Sequence, residues 1–184
     1  MRTFSHAIVT AALGSQAKAK GGSLAAFVVG SVLPDLPLGV LTVLALINST
    51  DMDAAMVYMD QLYYESALWI ALHNTPHSFV VMAVLSLLAY AFKQNRWGCW
   101  LLWYAAGASL HIAVDILTHA MDGPMFLYPL STFRFQSPVS YWNPEYYGRV
   151  FTVFEYSVDA LLLVVLGVRF LKARRRHAYK NEQT

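Results

Sequence analysis

The sequence predicts an all-α, polytopic membrane bundle, with three full spans preceded by an N-terminal helical hairpin. Three observations predict it. Apolar residues make up 57% of the 184 residues and charged residues 13%, about half the roughly 25% typical of soluble domains. The runs Ala67 to Phe92 and Trp97 to Val114 hold no Asp, Glu, Lys or Arg, and at ~1.5 Å per residue each can cross ~30 Å of hydrocarbon. Eleven Tyr, ten Phe and five Trp suit the lipid–water boundary, where amphipathic rings settle.

The elements follow in chain order. "FSHAIVTAALG" and "SLAAFVVGSVL" are short apolar blocks around the polar turn "SQAKAKGG". They read as a hairpin whose arms are short for full spans. Ser5 and His6 interrupt the first block, unlike the continuous apolar core of a signal peptide, so this segment is expected to stay in the mature chain. Prolines flank Asp35 in "PDLP" and are expected to stop the helix. The run Leu38 to Ile47 is then interfacial or re-entrant, because Asp35 and Asp51 fall on one side. Ala67 to Phe92 and Trp97 to Val114 are the first two full spans. Val150 to Leu171 is the third, with Glu155 and Asp159 near its start. The chain divides into one membrane domain, 1–172, and a basic tail, 173–184. The single cysteine, Cys99, reads as a small buried hydrophobe.

Positive charge sets the orientation. Lys18 and Lys20 in the first turn, "KQNR" between two spans and "KARRRHAYK" after the last one all face the cytoplasm in a single topology. That topology brings His6, Asp35, "HNTPHS", His111, Asp115, His119, Glu155 and Asp159 to the opposite, extracytoplasmic end. Five of the six histidines meet there; His177, in the tail, does not. The net charge of +2 is too small to point to nucleic acid.

His111, Asp115 and His119 are four apart, on one helix face. Ionisable groups at membrane depth are costly and usually face the bundle interior or a cavity. The stripe is either a buried imidazole–carboxylate hydrogen bond or part of a metal site. In "HNTPHS", Thr75 is expected to cap a helix with Pro76 in its first turn and His77 opening it. His73 and His77 are metal ligands or interfacial imidazoles. Asp35 bridges metals or holds a water, or it merely caps the next segment; His6 is open in the same way. These residues together exceed the ~three protein ligands of one catalytic zinc and suit about two or three divalent ions. Arg134, in a Pro- and aromatic-rich outer loop, either binds a phosphate oxygen or pairs with Glu145 or Glu155 in an interfacial loop anchored by Tyr141 and Trp142. Glu155 and Asp159 are a general base or orienting partners of a histidine, or they form salt bridges.

The ordered set "SHAIVTAALG", "GSVLPDLP", "HNTPHSFVV" and "HIAVDILTH…YPLS" resembles the LexA-regulated, membrane-bound metal-dependent hydrolase-like family of bacterial inner-membrane proteins. Through that family the chain is distantly similar to zinc-dependent phospholipase C enzymes. The resemblance covers roughly Thr3 to Tyr141. It implies an inner-membrane location and metal ligation by His6, Asp35, His73, His77, His111 and Asp115. Where the family motif often reads His-Arg-x-x-Thr-His-Ser, "HNTPHS" is one residue shorter between its histidines and lacks the Arg.

The leading expectation is a zinc-dependent phosphoester hydrolase acting on a phospholipid or other membrane-associated substrate. Asp35, His119 and Glu155 are its candidate catalytic groups and Arg134 its candidate substrate contact. A non-catalytic carrier or sensor of divalent ions, and a structural membrane protein, are the alternatives. Oligomeric state has no signal in the sequence.

Overall fold

A computed structural model describes residues 1–17 and 22–181, with side chains described as far as Arg175. Eight α-helices run α1 (Thr3–Gln16), α2 (Gly22–Val32), α3 (Leu36–Ile47), α4 (Met52–Glu65), α5 (Ala67–Asn74), α6 (Phe79–Ala91), α7 (Arg96–Thr118) and α8 (Gly148–Asn181). Single 3-10 turns occupy Leu33–Asp35 and Pro144–Tyr146. No strand occurs among the described residues, so the all-helical membrane bundle stands. Lys18 and Lys20, expected to mark the first turn, lie outside the described residues.

Among the described residues, three helical segments are long and apolar enough to cross a membrane: Gly22–Ile47, Arg96–Thr118 and Gly148–Arg175, with mean hydropathies of 1.9, 1.4 and 1.9. Two of them match the expected spans. The first does not. The prolines around Asp35 do not end the helix, and α2, the 3-10 turn and α3 form one span-length segment of 26 residues. Pro34 and Pro37 each sit in the first turn of a short helical element, where a missing N–H costs no hydrogen bond. The segment Leu38 to Ile47 therefore continues a helix instead of turning back as an interfacial or re-entrant piece.

The run Ala67 to Phe92 differs in the other direction. It breaks at "HNTPHS" into α5 and α6, which bend by 54° and are together still long and apolar enough for a fourth, broken span or a re-entrant loop. Ser78, not Thr75, caps α6, its hydroxyl accepting from the N–H groups of Val80 (3.1 Å) and Val81 (3.3 Å). His77 thus lies in the turn ahead of the helix. At 14 residues, α1 spans ~21 Å, short of a full crossing, as its sequence implies. α8 carries on as helix to Asn181, so the start of the basic tail extends the last span.

The packing that positions the site is the crossing of α2 and α7. A Cβ at Gly30 would collide with the Tyr104 carbonyl, and one at Gly107 with the carbonyl of Phe27. Small residues let two membrane helices approach this closely; Ala26, Ala105 and Ala108 are buried beside the glycines. α6 packs on the other side of α7 through Met82 and Ile112. α1 lies against α2 and α8, tied to α8 by Ser5 Oγ donating to Asp159 (2.6 Å) and Arg169 donating to Ser15 Oγ (2.7 Å). The start of α1, the turn before α6, the end of α7 and the start of α8 come together at one end of the bundle.

α3, α4 and α5 form a separate helical layer beside that end. α3 and α4 are antiparallel neighbours joined by a short turn, with Asp51 capping α4 through the Ala54 N–H (2.9 Å). Leu41, Ala45 and Ala55 are buried in this layer, while Val43, Ile47, Met52 and Val57 are exposed.

Candidate metal centre

Four side chains from three segments converge: Asp35 from the 3-10 turn, His77 from the turn before α6, and His111 and Asp115 from α7. One donor atom of each lies within 4.8 Å of all the others. His111 and Asp115 are one helical turn apart and share the face of α7 turned toward α2. His77 and His111 are fully buried and Asp115 is 3% exposed.

Backbone carbonyls fix both imidazoles. His77 Nδ1 lies 2.7 Å from the His73 carbonyl, and His111 Nδ1 lies 2.8 Å from that of Ser31. A carbonyl only accepts, so each Nδ1 carries the proton, and in the neutral ring each Nε2 presents a lone pair. Those two Nε2 atoms face each other at 3.0 Å. The Asp115 Oδ2 atom lies 3.0 Å from His111 Nε2 and 3.8 Å from His77 Nε2. Asp35 Oδ1 lies 3.4 Å and 3.6 Å from the same two nitrogens. Four lone-pair atoms thus crowd one point, and only a shared cation, a proton or a metal, removes their mutual repulsion.

The spacing fits a metal. Four N/O ligands at ~2.0–2.1 Å from a tetrahedral zinc stand about 3.4 Å apart, and the five separations above, 3.0–3.8 Å, straddle that value. Each imidazole also has the carbonyl partner on its far nitrogen that orients metal-bound histidines.

The other candidate residues surround this group in different roles. His6 Nε2 lies 2.9 Å from Oδ1, the second oxygen of Asp115, and its ring stacks on His111 with centroids 3.9 Å apart. His119 Nδ1 donates to the Asp115 carbonyl (2.9 Å) and lies 3.8 Å from Oδ1. Burial holds the His119 imidazole below its ordinary pKa, and its Nε2 keeps a lone pair. Asp115 therefore shows one oxygen to the four-donor group and the other to His6, His119 and the Met1 ammonium, which donates to it at 2.9 Å.

His73 stands beside the group, not in it. Its carbonyl orients His77, while its ring turns toward Tyr63, with His73 Nε2 and the Tyr63 hydroxyl 3.1 Å apart. Its Nδ1 is buried without a hydrogen-bond partner. Burial pushes the Tyr63 phenol up to about 12.

Glu155 and Arg134 are engaged elsewhere. Glu155, 2% exposed, accepts from the Arg2 guanidinium (2.5 Å) and the Arg2 N–H (2.8 Å), which pins the start of α1. Arg134 donates to the Gly123 carbonyl and lies over the rings of Tyr63 and Tyr64. Its guanidinium anchors the outer loop. Sequence reasoning missed the Ser31 carbonyl and Thr3, whose hydroxyl donates to Asp35 Oδ2 (2.5 Å).

A cavity of about 820 Å³ opens above the group, bounded by the starts of α1 and α3, by α4 and by the loop after α7. Asp35, Asp115, His73 and His119 reach its floor.

The family follows from the whole chain. Residues 1–178 match the model of the YdjM inner membrane protein family. The chain belongs to that family. No curated protein and no solved structure matches it. Membership of the YdjM family agrees with the three apolar spans and makes this an inner membrane protein.

Proposed function

We propose that this YdjM-family protein is a metal-dependent hydrolase that cleaves a phosphoester at the membrane surface. The observation that carries the reading is the pair of buried Nε2 lone pairs 3.0 Å apart, each fixed by a proton on its other nitrogen and flanked by two carboxylates. A proton shared by the two nitrogens would also relieve the repulsion, but the 3.0–3.8 Å spacing of the donors supports a zinc ion. Asp35, His77, His111 and Asp115 Oδ2 would hold one ion. Asp115 Oδ1, His6 and His119 would hold a second ion only in place of the Met1 ammonium, which donates to that oxygen.

Bound divalent metals supply Lewis acidity, lowering the pKa of water to ~7 and neutralising phosphoryl oxygens. The cavity wall calls for that charge. Asp35, Asp60, Asp115 and Asp122 line it against Arg2 and the Met1 ammonium, whose charges are met by Glu155 and Asp115. An anionic ester enters such a site only if cations reverse its sign. His119 Nε2 is placed to take a proton. The oxygen of water bonds to phosphorus, the bond from phosphorus to the alcohol oxygen breaks, and His119 passes the water proton to that leaving oxygen. Asp35, held by Thr3, orients the donor group. Glu155 acts at one remove, by fixing α1 and with it His6.

The positive-inside pattern supports a site on the extracytoplasmic side, with the C-terminus in the cytoplasm. A carrier is disfavoured by the apolar core directly behind the donors, where Ala26, Ala105, Ala108 and Ile112 fill the bundle.

Metal analysis of the detergent-purified full chain tests the reading. We expect zinc or a similar divalent ion to co-purify with the wild type and to be lost in His111→Ala. A metal-free wild type, prepared without chelator and unable to take up zinc, overturns it. Hydrolysis of bis(p-nitrophenyl) phosphate by the loaded wild type then separates enzyme from sensor.

A further inference from the structure

The cavity above the donor group is polar at its floor and along part of its rim, where Arg2, Asp60, Asp122 and Asn143 line it, and apolar on one side. Its side wall comes from the α3–α4 layer: Leu38, Gly39 and Thr42 on α3, and Met56 and Met59 on α4, with Phe4 of α1 opposite. Thr42 adds no polarity, because its hydroxyl is spent on the Leu38 carbonyl (2.9 Å). The two methionines, three apart on one face of α4, give a soft surface that adapts to a flexible apolar ligand.

Gly39 has no packing reason to be glycine. Gly30 and Gly107 are required by backbone contact, but a Cβ at Gly39 would meet nothing within 4 Å. Glycine inside a helix is unfavourable relative to alanine. Here it buries nothing and lets nothing approach; it only deepens the recess above Asp35, one helical turn away. The same two helices also expose Val43, Ile47, Met52 and Val57, and Val43 and Met52 lie one helical turn from Gly39 and Met56. In a membrane protein an apolar face of this kind belongs in hydrocarbon. The apolar wall thus runs along α3 and α4 into surface that belongs in lipid, so a chain leaving the bilayer reaches the cavity along one apolar path.

We propose that the α3–α4 wall is an acyl-chain site, and that the substrate is a membrane phospholipid whose hydrocarbon lies in the Gly39 recess with its phosphoester at the Asp35–Asp115 floor. The inference rests on the metal-hydrolase reading for the headgroup alone; the chain site stands on the wall. A volume of about 820 Å³ lies within the range of roughly 300–1,000 Å³ usual for ligand pockets.

The test uses the full chain in detergent, zinc-loaded, with dioleoyl phosphatidylglycerol as the probe. Retention of the lipid is read by native mass spectrometry. Gly39→Leu fills the recess, and Met56→Gln places an amide on the wall. Gly167→Leu is the control, because a Cβ there also meets nothing within 4 Å and the site lies on α8, away from the cavity. We expect Gly39→Leu and Met56→Gln to reduce lipid retention at least about tenfold, and Gly167→Leu to leave it at the wild-type level. In the same variants, hydrolysis of the lipid should fall more than hydrolysis of the chainless ester bis(p-nitrophenyl) phosphate. Retention equal to wild type in a folded Gly39→Leu or Met56→Gln chain, or equal loss in Gly167→Leu, overturns the acyl site. Lipid retention that depends on Gly39, without hydrolysis of either ester, keeps the site and overturns the enzyme.

Discussion

Two buried polar clusters sit at the same end of this bundle, and they are built on opposite principles. Where α1 meets α8, Arg2 faces Glu155 and Ser5 faces Asp159. Each acceptor there has a donor, and the ion pair is complementary. At the crossing of α2 and α7, Asp35, His77, His111 and Asp115 bring acceptor to acceptor. The first cluster is complete as it stands and fastens helices. The second is completed only by a cation, which is how a site differs from a staple. Both are carboxylates near a helix end in an apolar sequence. The difference lies in what faces them.

The largest effect that would break this comparison comes from Asp115→Ala. It removes the oxygen shared by the donor group and the one facing His6. Zinc affinity should fall by more than about 100-fold, read by metal analysis and by competition with a chromogenic chelator. If Asp115→Ala binds zinc as the wild type does, the two clusters are not different in kind.

Glu155→Gln should do the reverse, keeping zinc and losing stability. Breaking a fully buried ion pair costs roughly 3–5 kcal/mol, but Arg2 is 24% exposed, so solvent screening reduces the expected loss to about 1–3 kcal/mol. Denaturant unfolding in detergent measures it. Loss of zinc from the folded variant would mean that Glu155 belongs to the site.

Chelation gives an intermediate effect that separates the clusters in one chain. A ligand that binds only the folded state stabilises by mass action. EDTA should therefore lower the melting temperature of the wild type and of Glu155→Gln, and leave that of Asp115→Ala unchanged. A melting temperature insensitive to EDTA in zinc-loaded wild type would contradict coupling of the donor group to folding.

The smallest expected effect is that of Tyr63→Phe. It deletes the hydroxyl between His73, the Asp122 carbonyl and Arg134, and a net loss of about 1 kcal/mol is expected. Zinc content should not change, since the His73 carbonyl still orients His77. Zinc loss in Tyr63→Phe would move His73 into the ligand set.

Much of this was legible in the chain. The spans of α7 and α8 follow from hydropathy alone, because lipid demands a continuous apolar surface with internally bonded backbone. The gathering of His6, His73, His77, His111 and His119 followed from charge placement, since topology decides which helix ends meet. Other features were hidden. Pro34 and Pro37 read as a helix stop, yet each occupies a first helical turn, where proline fits. "HNTPHS" read as a helix start, and its bend depends on Ser78 capping one residue after the histidine. Glu155 and Arg134 looked available for chemistry until Arg2 and the Gly123 carbonyl were found against them.

The sequence by itself determined a helical membrane protein with its ionisable groups at one end, because burial in lipid and the four-residue helical repeat are local rules. Tertiary structure decided which of those groups are spent on each other and which are left facing lone pair to lone pair. That outcome depends on the close approach of α2 to α7 at Gly30 and Gly107, which sets the Ser31 carbonyl against His111. No local rule relates residues so far apart in the chain.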